Sequence, residues 1–111
     1  MRLSEKQASF TKDFAAFVVY AIRWCDAHGY TVILEECYRH PTATHGHPNS
    51  THRMKLAGHL ILFKGGEPVW DSAEYRLLGD AWENLHIDNR WGGRFLDPDG
   101  VHFSRTNDGI S

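Results

Sequence analysis

The chain has 111 residues, 41% of them hydrophobic, with six Phe, four Tyr and four Trp. That is enough apolar surface for a single packed core, and it excludes a disordered chain. The net charge is −2, with Lys and Arg scattered rather than massed, so the basic footprint of a nucleic-acid binder is missing. The longest apolar run, Phe14 to Ile22, falls well short of the ~20 residues of a membrane span, and no membrane insertion is expected.

The opening MRLSEKQASF lacks the apolar stretch and small-residue cleavage site of a signal peptide. Synthesis in the cytoplasm is the expectation, with any export by another route. Ser4 to His28 is predicted as a helix. Ser4 with Gln7 fits a capping box, and Phe10, Phe14, Phe17, Val18, Ala21, Ile22 and Cys25 follow the spacing of one buried face. Gly29 stands where a helix end favours a left-handed residue. Tyr30 to Tyr38, rich in β-branched and aromatic residues, is predicted as a strand.

Arg39 to Thr51 has loop composition, and Leu56 to Lys64 forms a second strand. Gly65-Gly66 turns the chain into a short third strand, Glu67 to Trp70. Asp71 or Ser72 can cap a second helix running to about Leu85 and burying Tyr75, Leu78, Trp82 and Leu85. Asn89 to Gly100 is a loop dense in Gly, Asp and Pro, and Val101 to Ser104 a last strand. Without repeats or a linker, residues 1–111 form one α+β domain, with helices on one side of a small, mainly antiparallel sheet. Cys25 and Cys37 make no disulfide framework and are expected as buried free thiols.

Eight histidines are a heavy load, and five of them, His40, His45, His47, His52 and His59, crowd one stretch. Imidazole is the commonest metal ligand among side chains. A continuous helix would hold His52 and His59 about 10 Å apart along its axis. A continuous strand would separate them by roughly 20 Å or more and point them to opposite faces. The chain must therefore turn between them if they share an ion, with His52 at the loop end and His59 on the strand. The alternative is a surface histidine followed by a core one.

A third candidate is His102, three residues after Asp99 in WGGRFLDPDGVHF. Pro98 and Gly100 prevent a regular strand there, so both side chains can face one cleft. A catalytic zinc keeps three protein ligands and one open position, and a nearby carboxylate can move the proton of the attacking water. Asp99 can equally be a simple turn-former. Asp97 competes with Asp99 for the acid/base role. His45 and His47 can cover the cleft, bind a second ion or simply be solvated, and solvation is the expectation. His28 and His86 suit helix C-termini, where a partial positive charge is favourable.

These residues also carry a resemblance. STHRMKLAGHL resembles the S-x-H-x6-D box of the zinc D-alanyl-D-alanine carboxypeptidases and the related phage L-alanyl-D-glutamate endopeptidases. DGVHF is similar to their second box, D/E-x-x-H, and WENLHIDNRWGGRF resembles the helix end and Trp-Gly-Gly turn of the phage members. LSEKQASF and EECYRHPTATHG look like the same family, and the resemblance spans nearly the whole chain.

By position, the resemblance implies one zinc per chain held by His52, His59 and His102, with Asp99 as acid/base. Arg39 would meet a substrate carboxylate and Ser50 would lie near the substrate. Trp91, Gly92 and Gly93 are read as a tight turn lining the groove, or Trp91 as merely packed. Two departures stand out: His59 replaces the family's aspartate, and Lys55 a glycine common in it. The first keeps a zinc-competent donor but removes one negative charge.

The resemblance implies a monomeric zinc peptidase acting on the stem peptide of bacterial peptidoglycan, as an endopeptidase or a D,D-carboxypeptidase. It would be a phage lysis enzyme that reaches the cell wall through a pore or with a virion. A catalytically impaired metal-binding or wall-binding virion module of the same fold is the alternative, and His59 is the residue that favours it.

Overall fold

A computed structural model describes residues 2–35, 56–107 and 109–111. It has the expected α+β architecture, two helices and a small antiparallel sheet. The first helix, α1 (Leu3–His28), starts one residue earlier than expected, with Arg2 at its cap position and no side-chain cap, so the Ser4–Gln7 box is not formed. Its far end is as expected: Gly29 adopts φ 80°, and its N–H donates to the Cys25 carbonyl.

Strand β1 (Thr31–Leu34) pairs with β2 (Ala57–Lys64), and the Gly65-Gly66 turn leads into β3 (Glu67–Pro68), shorter than expected. A 3-10 turn (Ser72–Tyr75) precedes α2 (Arg76–Leu85). The segment Asn89 to Gly100 is not a loop throughout. Asn89–Trp91 forms a strand, β4, followed by a 3-10 turn at Gly92–Arg94. β4 pairs with the last strand, β5 (His102–Arg105), giving the order β1-β2-β5-β4 with β3 beside β2.

The register of β2 and β5 sets which side chains meet the helices. Gly58 lies opposite Phe103, and His59 opposite His102. Successive strand residues point to opposite faces. The Gly58 face receives Phe14, whose ring leaves no room for a Cβ there, and Phe103 packs on Phe17 with centroids 4.8 Å apart. His59 and His102 consequently point to the face away from α1.

Trp82 of α2 is wholly buried among Phe10, Phe14 and Phe17, and its indole N–H donates to the Ser104 carbonyl. The stripe Phe10, Phe14, Phe17, Ala21 and Cys25 is buried as its spacing predicts. Val18 is only half-buried and Ile22 is exposed, because the contact with the sheet is narrower than the full apolar arc. Leu85 is likewise 45% exposed, standing at the last residue of α2 rather than in the core.

Two polar clips fasten the layers. The Tyr75 hydroxyl donates to the Val69 carbonyl at 2.7 Å and accepts from the Leu62 N–H at 2.9 Å, so a fully buried phenol keeps its hydrogen bonds. Arg105, 3% exposed, donates to Asn89 Oδ1, Ser9 Oγ and Asp13 Oδ2. Asn89 in turn donates to the Trp82 carbonyl, linking both helices to the β4–β5 pair. A buried guanidinium is tolerable only when its donors are taken up this way.

Candidate metal centre

His59 is on β2, His102 directly opposite on β5, and Asp99 in the turn that feeds β5. Their ring nitrogens and carboxylate oxygen all lie within 4.8 Å of one another, a donor set able to hold a metal ion. His102 is buried, His59 half-buried and Asp99 exposed, so the cluster is walled at its base and open at the carboxylate side. The imidazoles meet edge to face with centroids 5.6 Å apart, and Phe95 covers His102 at 5.4 Å.

The position of Asp99 is fixed by close backbone packing rather than by its own side chain. The His102 N–H donates to the Asp99 carbonyl at 3.1 Å, closing a four-residue turn, and the Asp99 N–H donates to the Gly92 carbonyl at 2.8 Å. Gly92 must be glycine: a Cβ there would overlap the Asp99 carbonyl oxygen and stand 2.8 Å from His102 Cβ. Gly100 fits equally tightly over Ser72, whose hydroxyl accepts its N–H at 3.0 Å. On the strand side, Leu60 N–H donates to the Val101 carbonyl and Glu35 N–H to the His59 carbonyl.

The Trp-Gly-Gly sequence has the same purpose. Trp91 is 4% exposed, and its indole N–H donates to the Gly100 carbonyl at 2.8 Å. Its ring lies so close to Gly79 and Gly93 that neither position has room for a Cβ. Trp91 is therefore packed, holding the Asp99 loop from beneath, while also forming part of the wall of an adjacent groove. Glu83 completes the support by accepting from the Trp91 backbone N–H and from Arg94 Nε.

Of the predicted site residues, His59, Asp99 and His102 are brought together. His52, Arg39 and Ser50 lie outside the described residues, as do Cys37, His40, His45 and His47. Cys25 is a buried free thiol as expected, pushed up to about 11 by burial and, less, by Asp26. His28 sits in the last turn of α1, its Nδ1–H donating to the Trp24 carbonyl at 2.7 Å. Asp97 is exposed and outside the cluster.

Of the positioning residues, the sequence offers Gly92 as part of a tight Trp91-Gly92-Gly93 turn and leaves Glu83 unmarked. Ser72 reads as a helix cap. In the structure Asp71 caps instead, accepting from Ala73 N–H. No protein-family model matches the sequence, and no curated protein is significantly similar to it.

Proposed function

We propose that this chain is a zinc-dependent peptidase that cuts a peptide bond in the stem peptide of bacterial peptidoglycan. The observation that carries the reading is the convergence of His59, His102 and Asp99, residues 40 or more positions apart in part, on one solvent-open cluster. Imidazole and carboxylate donors suit zinc. His59 and His102 would hold the ion, with His52 as the further ligand implied by the motif resemblance.

When bound, zinc would lower the pKa of a water and polarise the scissile carbonyl. Asp99 is held beside the two imidazoles with its carboxylate exposed, suited to accept a proton from water and return it to the leaving amine. Arg39 would pair with a substrate carboxylate, and Ser50 would lie close to it. Purified protein is expected to carry about one zinc per chain and to clear a suspension of purified peptidoglycan, an activity lost with chelator and regained with zinc.

A second reading rests on His59, the departure from the motif: a non-catalytic metal- or wall-binding module of the same fold. His59→Asp separates the two. A parent that cuts supports the peptidase, whereas cutting only by the aspartate variant makes the parent a metal-binding relative without activity.

A further inference from the structure

A groove of about 470 Å³ lies between the start of α2 and the segment that follows β4. Ser72, Ala73 and Arg76 form one wall, and Trp91, Arg94 and Pro98 the other. It shares the Asp99 loop with the cluster: Pro98 lines it, Asp99 follows, and Gly100 is anchored on Ser72. The groove therefore borders the loop that carries Asp99.

The two groove arginines differ in one respect. Arg94 is already neutralised, paired with Asp80 and with Glu83 and lying over the Trp91 ring at 5.4 Å. Those acids raise its pKa, the Glu83 hydrogen bond most of all. Arg76 is exposed and has no ion pair among the described residues. Among the described residues the groove thus presents a cation without an acidic partner, with a planar, five-donor fork well matched to a carboxylate.

We infer that Arg76 is a specificity-determining residue that binds a carboxylate of the peptide substrate along this groove. The inference rests on the peptidase reading for the identity of that substrate, a stem peptide carrying more than one carboxylate. Arg76 would then help to fix which bond of that peptide lies over Asp99. Because Arg76 is exposed at the start of α2, its replacement leaves the core intact.

The test compares wild type, Arg76→Ala and Arg76→Lys on a soluble stem pentapeptide and on the same peptide with its carboxylates amidated. Loss of one charge-assisted pair should raise KM for the free peptide about tenfold or more in the alanine variant, with kcat within about twofold. Lysine should recover part of the loss, and the amidated peptide should bind wild type and the alanine variant alike. An unchanged KM in Arg76→Ala, or an equal loss on the amidated peptide, overturns the inference.

If wild type does not cut at all, the peptidase reading fails separately, and the groove is judged by titrating the same two peptides and following binding. Free-peptide binding weakened by Arg76→Ala then upholds a carboxylate site. Equal binding by both proteins, or none, overturns it.

Discussion

His59 and His102 are paired residues on β2 and β5, directly opposite one another on the sheet face that α1 does not cover. Neither position can be reached by the other in sequence; the strand register alone makes them neighbours. If, as proposed, each imidazole is a direct zinc ligand, replacing either by alanine should reduce zinc affinity by at least about 100-fold. Competition against a chromophoric chelator measures this. Affinity within threefold of wild type for both variants would remove the pair from the metal centre.

Asp99→Ala tests the carboxylate. The loop around it is held by N–H bonds to the Gly92 carbonyl and the Ser72 hydroxyl, so fold and zinc content are expected to survive. Hydrolysis should fall by about 10²–10⁴-fold, the usual contribution of a general acid–base group. A parallel loss of zinc would instead make Asp99 a ligand, and full activity would dismiss it.

Gly92→Ala should cripple the site although residue 92 supplies no donor to the cluster of His59, Asp99 and His102. The added methyl meets the Asp99 carbonyl and His102 Cβ, and neither backbone can retreat without breaking the turn. Overpacking of this kind costs about 1–3 kcal/mol. Denaturant unfolding should show that loss, with hydrolysis reduced more steeply than stability. Wild-type values of both would mean that the loop has slack the structure does not display.

How far this site could be read from sequence follows from the range of the interactions. The α1 stripe and Gly29 were legible because helix periodicity and a left-handed cap are local signals. Asp99 and His102 were legible because three residues of turn suffice to bring them together. β4 was missed: Asn89-Arg90-Trp91 has no strand pattern of its own and is extended because β5 pairs with it. The Ser72–Gly100 bond spans 28 positions and leaves no trace in either local sequence. Leu85 fits the helical period of α2, yet the helix ends there and leaves it half exposed.

Alkaline stability follows from Cys25. Burial pushes this thiol up to about 11 from 9.0. Above about pH 9 the unfolded chain gives up the proton while the native chain keeps it, so the unfolded state binds fewer protons and stability falls as pH rises. The loss should develop between about pH 9 and 11 and reach about 2–3 kcal/mol. Tyr75, also raised chiefly by burial, adds to it from about pH 10 upward. Cys25→Ala should flatten the early part of the decline in urea titrations; an unchanged slope would assign the decline elsewhere.

If His59, Asp99 and His102 belong to a zinc centre that hydrolyses peptidoglycan, the rate of turbidity loss of purified peptidoglycan should follow zinc when chelator-stripped protein is titrated with it. No clearing is expected without metal, then a rise with each addition and a break at about one equivalent per chain. Protein that takes up zinc yet leaves the suspension turbid at every ratio, or clears it equally well when stripped, would exclude such a centre.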